Sequence, residues 1–369
     1  MKIGIVSAEP SGDLLGRKIL DALEQKFPEL RVNGIGDGGL NKYGVSNDRS
    51  LLKIMGFVEP IMNYFDIKKF QNCIIDDLID KKIDLFIGID SPDFNFGIHK
   101  RLQEEGITTV QVVCPSVWAW RSGRMKNFKF IDYMLCLFPF ELKYCSNVRK
   151  ESFYIGHPLA EEQDKYIGNK KDTSPHAKDN IICLMPGSRD SEIKQNLPVM
   201  IEGYKKFSKQ HDGNYIALIP VYDSSAKELV ETYIEDESNI SCHQTKSSEI
   251  LKIAKAAVIC SGTATLEGLL AEVPTTIVYK TSLLNYLIFR SMMKSEFAGI
   301  PNILAEREIF TELIQNQATK DSIANDLQNN LINLDAKISE MKEVKRKIIR
   351  TDFSAFSERL YEDYRRKAQ

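Results

Sequence analysis

Ala256-Ala257-Val258-Ile259-Cys260-Ser261-Gly262-Thr263-Ala264-Thr265-Leu266-Glu267 reads as an apolar strand, a glycine turn and the opening of a helix at Thr263 or Thr265. The first-turn N–H groups of such a helix lack intrahelical partners, and the aligned peptide dipoles place partial positive charge there. A phosphate or pyrophosphate suits that end. Glu267 lies one turn further in, where its carboxylate can accept hydrogen bonds from ribose hydroxyls. The plain alternative is a Ser-Gly-Thr turn that only caps the helix.

A second turn of the same kind lies upstream. The strand candidate Ile181–Met185 runs into Pro186-Gly187-Ser188-Arg189-Asp190-Ser191-Glu192-Ile193. Gly187 allows a close backbone approach and Arg189 offers a charge-assisted fork to a phosphate. Two such turns in one domain favour a shared phosphate-binding role over two N-caps. Tyr215–Val221 and Thr275–Tyr279 read as further strands, and helices are expected near Leu197–Lys209, Ala226–Glu235, Thr265–Ala271 and Leu283–Met293. The tail from Leu331 to Lys367 reads as helical and strongly charged.

The first half has the same rhythm. Lys2–Ala8 is a strand candidate, followed by the turn Glu9–Asp13 and a helix with Leu15, Ile19, Leu23 and Phe27 at i, i+4 spacing. Leu85–Ile89 ends at Asp90, Thr109–Val113 at Cys114-Pro115, and Met134–Phe138 at Pro139. Repeated βα units of this kind build parallel sheets. The polar stretch Asn169–His176 reads as a linker or exposed loop between domains. The expected architecture is α/β, with two doubly wound Rossmann-like domains facing each other across a cleft. Residues 1–168 form the first and 177–334 the second, and the C-terminal helices, about 335–369, are expected to pack back on the first.

The totals narrow the class. With 369 residues, 43% hydrophobic and 27% charged, the chain reads as a soluble globular protein of more than one domain. A net charge of −2 argues against a dedicated nucleic-acid binder. No apolar run approaches the ~18 residues of a spanning helix. Met1-Lys2-Ile3-Gly4-Ile5-Val6-Ser7 enters a strand pattern at once, which predicts no signal peptide. Seven cysteines show no Cys-x-x-Cys spacing; several sit in apolar runs and read as buried reduced thiols, which predicts a cytoplasmic protein with no structural metal.

Other turns carry candidate chemistry. In Asp90-Ser91-Pro92-Asp93-Phe94-Asn95 a carboxylate at a strand end, shielded from water, can act as a base. Asp93 and Asn95 read as caps of the next helix, while the pattern leaves Asp90 open between base and cap. Both tryptophans stand in Ser116-Val117-Trp118-Ala119-Trp120-Arg121, beside Arg124 and Lys126. That loop can contact sugar or acyl groups and is flanked by phosphate-binding charge, with core packing as the rival reading for at least one Trp. Met55–Phe70 is too apolar for one narrow stripe. Phe57, Val58, Ile61, Met62, Phe65 and Phe70, with Lys68 and Lys69, then meet a membrane or lipid; an ordinary core helix is the slightly favoured competitor. His157, in Gly156-His157-Pro158, reads as a turn residue at the domain junction.

Together these stretches resemble the lipid-A-disaccharide synthase family, bacterial glycosyltransferases of lipopolysaccharide biosynthesis. The resemblance rests on Ser11-Gly12-Asp13, Met55–Glu59, Gly88–Asn95, Pro115–Arg121, Pro139-Phe140-Glu141, Gly156-His157-Pro158, Pro186–Arg189, Ser261–Glu267 and Pro301-Asn302-Ile303-Leu304-Ala305, almost end to end. Ser116–Arg121 is the most specific of them. Pro10 after Glu9 and Phe138 depart mildly from the family pattern.

The resemblance implies the two-domain GT-B glycosyltransferase fold, with UDP on the C-terminal domain. It implies transfer of 2,3-diacylglucosamine from UDP-2,3-diacylglucosamine to the 6-hydroxyl of 2,3-diacylglucosamine 1-phosphate, giving the β-1,6-linked disaccharide 1-phosphate and UDP. It also implies no metal, no cofactor, and peripheral attachment to the inner face of the cytoplasmic membrane; a homodimer is compatible with it. Carried onto this chain, Asp90 is the base, Ser188, Arg189, Gly262 and Thr263 hold the pyrophosphate, Glu267 the ribose, and Asn302 contacts the donor. Ser11 and Gly12 turn toward the acceptor, and Arg121 and Arg124 read from their charge as ligands of its phosphate. Rival readings are a UDP-N-acetylglucosamine 2-epimerase of the same fold, a silent nucleotide-sugar binder, and a scaffold. The epimerase leaves Met55–Phe70 without a use, the silent binder needs no base, and the scaffold needs no pair of phosphate turns.

Overall fold

The computed structural model describes residues 1–45, 64–119, 121–162, 180–211, 215–235, 237–283, 285, 286, 290 and 295–368. The chain divides into two compact units, Met1–Pro158 with Arg350–Gln369, and Leu159–Ile349.

Unit 1 begins with β1 (Lys2–Ser7), α1 (Pro10–Glu24), β2 (Arg31–Ile35), α2 (Tyr64–Asp80), β3 (Leu85–Ile89), α3 (Pro92–Glu104), β4 (Thr108–Val112), β5 (Tyr133–Cys136) and β6 (Glu151–Tyr154). All its strands are parallel, in the order β2-β1-β3-β4-β5-β6. Helices cover both faces of such a sheet, so β3, β4 and β5 are buried along their whole length. The chain winds away in opposite directions from β1 and β3, whose ends pair as Ser7 with Ile89. The loops that follow these two strands therefore open side by side at the carboxyl edge, where open α/β sheets bind ligands.

Unit 2 comprises β7 (Asn180–Met185), α4 (Asp190–Gln210), β8 (Tyr215–Val221), α5 (Ser224–Ile234), β9 (Ile240–Gln244), α6 (Ser247–Leu251), β10 (Ala254–Cys260), α7 (Ala264–Leu270), β11 (Thr275–Tyr279), α8 (Ile300–Ala305), β12 (Glu312–Ile314), α9 (Lys320–Ile332) and α10 (Leu334–Lys345). Its parallel sheet runs β12-β11-β10-β7-β8-β9. Counted within the unit, this is the dinucleotide-fold order, with its reversal between β7 and β10. Met185 pairs with Ile259 there, so the two glycine turns quoted above leave from adjacent strands. Helix α4 buries Ile193, Leu197, Met200, Tyr204 and Phe207 against the sheet, one apolar stripe at helical spacing.

The last helix, α11 (Ser354–Ala368), belongs to unit 1. Phe356 packs edge-on to Tyr133 with centroids 5.6 Å apart, Tyr361 and Tyr364 flank Phe27, and Asp352 N–H donates to the Ile155 carbonyl at 2.8 Å. The chain thus returns at Arg350, not at about residue 335. Helix α10 stays in unit 2, where buried Lys345 donates to the Leu270 carbonyl at 2.7 Å and to Glu272 at 3.0 Å.

Two parallel α/β units are what the sequence rhythm predicts. The linker at 169–176 and most of the helix expected at Leu283–Met293 lie outside the described residues. Among the described residues no helix is long and apolar enough to cross a membrane. Cys114, Cys136 and Cys145 bring three buried thiols within 4.8 Å of one another, in an apolar cluster with Val117, Phe128 and Met134. Cys73, by contrast, is exposed.

Candidate active site

Asp90 ends β3 with φ +50°, and Ser91 follows at φ +39°. Two consecutive non-glycine residues in the left-handed region cost of order 1–3 kcal/mol each, and such strain clusters at functional turns. The Asp90 N–H is fixed to the Val112 carbonyl at 2.9 Å. Its carbonyl accepts from Asn95 Nδ2 at 2.8 Å and from Gln111 Nε2 at 3.1 Å. Burial raises the Asp90 carboxyl above its ordinary value, opposed by the Ser91 N–H and the charge of Arg124. A raised carboxyl at a strand end is suited to accepting a proton.

Asp93 caps nothing. Its carboxylate takes Arg121 Nη1 at 3.1 Å, Arg124 Nε at 3.0 Å and a second bond from Arg124 Nη2. Asn95 is fully buried and donates backwards to the Asp90 and Ile89 carbonyls. The cap readings of both residues are therefore corrected: the Ser91–Pro92 turn starts α3 without a side-chain cap, which releases both side chains for other work. Arg124 is only 13% exposed, so its charge is held rather than waving in solvent.

The turn after β1 stands beside this group. Ser11 is exposed and Gly12 buried. A Cβ on Gly12 would lie 2.7 Å from Ser7 Oγ and 3.1 Å from Ile89 Cγ2, so glycine lets this turn sit close against the end of β3. Trp118 is half-buried. It donates to Glu141 Oε1 at 3.4 Å and meets Phe140 edge-on at 5.2 Å. Burial pushes the Glu141 carboxyl up to about 8, opposed by the Phe138 N–H, Trp118 and the Leu137 N–H, all of which donate to it. Trp120 lies outside the described residues, as do Phe57, Val58, Ile61 and Met62. On α2, Phe65 is 85% exposed, and Lys68 and Lys69 are exposed beside it. Phe70 instead packs against the unit 1 core near Phe94.

Histidines 99 and 157 are buried, the second stacked on Phe138 at 5.1 Å. Burial lowers each to about 4. Both stay neutral in the folded chain, whereas the unfolded chain takes up a proton at each below about pH 6.5. The stability they contribute is full above about pH 6.5 and is lost as pH falls through about 4, at up to about 1.4 kcal/mol per pH unit for each group. His99→Phe should flatten the acid side of a plot of Tm against pH; an unchanged slope would remove His99 from the acid response.

In unit 2, Gly187 has φ +115° and Gly262 φ +149°, conformations that glycine adopts and other residues resist. Gly262 and Thr263 are exposed, and Thr263 leads into α7 without a side-chain cap. Arg189 is 74% exposed and donates to Glu192 Oε1 at 2.8 Å. Glu192 Oε2 accepts the Ser188 and Arg189 N–H groups at 3.0 and 3.3 Å. An internal carboxylate thus sits on the donors that the sequence reading assigns to a phosphate. Glu267 accepts from Ser247 at the start of α6.

Asn302 differs from expectation. It is fully buried, and its amide is saturated inside the unit. Nδ2 donates to the Phe310 carbonyl and to Glu312 Oε1, both at 2.8 Å, while Oδ1 accepts the Ile309 and Phe310 N–H groups, both at 2.9 Å. A direct donor contact from this side chain gives way to a holding role, because no bonding position on it is left.

The sequence reading missed Gln111 and His99, which lie under the Asp90 turn. The available signal was a single amide inside the apolar strand Thr109-Val110-Gln111-Val112.

A family model described as lipid-A-disaccharide synthetase matches residues 3–362. The lipid-A-disaccharide synthase of Alcanivorax borkumensis is 32% identical over 329 residues, 87% of this chain and 86% of its own length. That of Francisella tularensis subsp. novicida is 36% identical over 346 residues, 89% of each. Among solved structures, the UDP-GlcNAc 2-epimerase of Neisseria meningitidis, bound to UDP-GlcNAc, is similar with a TM-score of 0.62 at 11% identity, covering 99% of this chain and 100% of that one. Likeness at that identity speaks to the fold alone.

Proposed function

The chain belongs to the lipid-A-disaccharide synthase family and is a glycosyltransferase of lipid A biosynthesis, and we propose that it joins UDP-2,3-diacylglucosamine to 2,3-diacylglucosamine 1-phosphate with inversion. The observation that carries this reading is Asp90. It is a carboxyl raised by burial, on a strained turn at the ligand-binding edge of unit 1, with two arginines converging one turn away. In the proposed reaction the Asp90 carboxylate takes the proton of the acceptor 6-hydroxyl. The oxygen attacks the anomeric carbon from the face opposite UDP. The bond from that carbon to the pyrophosphate oxygen breaks, and its electron pair leaves with UDP. Arg121 and Arg124 bind the acceptor 1-phosphate, and Ser11 and Gly12 border its sugar.

Unit 2 holds the leaving group. Arg189, the Ser188 N–H and the Gly262–Thr263 turn take the pyrophosphate, which replaces the Glu192 carboxylate on those donors, and Glu267 takes the ribose. Fixed positive charge and dipoles aimed at a developing anion stabilise departure without a metal. Arg189→Ala should therefore weaken UDP binding by roughly 1.5–3 kcal/mol, the range for a hydrogen bond to a charged group. Titration calorimetry checks this, and unchanged affinity would remove Arg189 from the donor site. Activity that EDTA abolishes and Mg²⁺ restores would overturn the metal-free reading. Assay of UDP release from candidate UDP-sugars with an acylated acceptor tests the whole reaction. A UDP-sugar epimerised with no acceptor present would favour the epimerase instead.

Both substrates carry acyl chains, and Phe65 with Lys68 and Lys69 presents an apolar side chain beside two cations. The proposed use is peripheral docking on the inner face of the cytoplasmic membrane, each lysine contributing about 1 kcal/mol at an anionic surface. Phe65→Ser should lower binding to anionic vesicles and leave UDP affinity intact; unchanged vesicle binding counts against this surface.

A further inference from the structure

We propose that Gln111, Asn95 and His99 are positioning residues for Asp90, acting as one buried network that fixes the turn bearing the base; this rests on the reading of Asp90 given above. All three side chains are fully buried. Gln111 Nε2 faces three carbonyls, those of Asp90 at 3.1 Å, Val112 at 3.0 Å and Val113 at 3.4 Å. Its amide orientation follows, so Oε1 must point the other way, to His99 Nε2 at 2.8 Å. Oε1 can only accept, hence His99 carries its proton on Nε2. Asn95 Nδ2 supplies a second donor to the Asp90 carbonyl at 2.8 Å.

The network meets both strained turns. Asp90 and Ser91 end β3 at φ +50° and +39°, and Val113 ends β4 at φ +71°. Gln111 binds the carbonyls on both sides of that gap. With the Asp90 N–H held by Val112 and its carbonyl held twice, the backbone that carries the carboxylate is fixed. Gly88 makes the arrangement fit. A Cβ there would lie 3.0 Å from Asn95 Cγ and 3.0 Å from His99 Nε2. Burying three polar side chains beneath one turn is costly unless they are bonded. An apolar core would hold β3 and β4 equally well but would put no donors on the Asp90 carbonyl. What these donors add is a fixed origin for the carboxylate, and a displacement of the order of 1 Å at a reacting group can cost on the order of 100-fold in rate.

The test measures Gln111→Met, close in shape and without donor or acceptor, in two backgrounds. With Asp90 present, kcat should fall about 10- to 100-fold, while KM for the acceptor and UDP affinity hold. In an Asp90→Asn background the same change should cost nothing further, since no base remains to be aimed. Normal kcat in the single variant, or an equal loss in both backgrounds, would overturn the positioning role. Normal turnover in Asp90→Asn alone would instead overturn the base. Should Gln111→Met fail to fold, Asn95→Leu removes the other donor on the same carbonyl and is judged by the same two-background comparison.

Discussion

Asp90→Asn should retain its fold and its UDP affinity and lose roughly 10²–10⁴-fold in turnover, the usual worth of a positioned general base. The substitution keeps the size of the side chain and the backbone bonds that hold it, from the Asp90 N–H donated to the Val112 carbonyl to the Asn95 and Gln111 donors on the Asp90 carbonyl. What it removes is the capacity to accept a proton from a hydroxyl. Because burial raises this carboxyl, the active, ionised form is lost as pH falls through that raised value. The acid limb of the rate profile should therefore lie above the ordinary range for an aspartate and vanish in the variant. Turnover within a few-fold of the parent would take Asp90 out of the mechanism.

Asn302→Ala should destabilise unit 2 by roughly 3–5 kcal/mol. The buried amide satisfies two backbone N–H groups, one backbone carbonyl and one carboxylate oxygen. Each such group left unpaired costs about 1–3 kcal/mol, and relaxation recovers part of the sum. The loss should appear as a lower Tm, with UDP affinity near normal at temperatures where the unit stays folded. A stable variant that had lost UDP binding would restore Asn302 as a direct ligand of the donor.

The strands that the sequence reading found and those it missed divide by position. β2, β6, β9 and β12 had no expected counterpart, and they are the four outer strands of the two sheets. Inner strands such as Leu85–Ile89 are buried on both faces, so their sequence is an unbroken apolar run. Glu151-Ser152-Phe153-Tyr154 and Ile240-Ser241-Cys242-His243-Gln244 are half-covered and carry polar residues that erase that signal. The candidate site shows a related split. Turns with glycine or a lone carboxylate after an apolar strand were readable, as at Asp90 and at Gly262. The partners of each side chain were not: Asp93 and Asn95 look like helix caps in one dimension, and only the fold brings Arg124 to the first and the Asp90 carbonyl to the second. Gln111 and His99 are twelve residues apart and meet only because α3 packs beside β4.

Because residues 159–349 are threaded into unit 1, the order of synthesis and the order of folding part company. Domains generally fold as they leave the ribosome, amino-terminal first. Here the first unit emerges without buried Phe353 and without Phe356 and Leu360 of α11, which fill part of its core. The second unit is a continuous segment and can complete its own core as soon as it has been translated. The half proposed to hold UDP is therefore expected to mature before the half that carries Asp90. On the donor site proposed above, a chain ending at Ile349 should bind UDP and show no sugar transfer from a UDP-sugar to the acceptor.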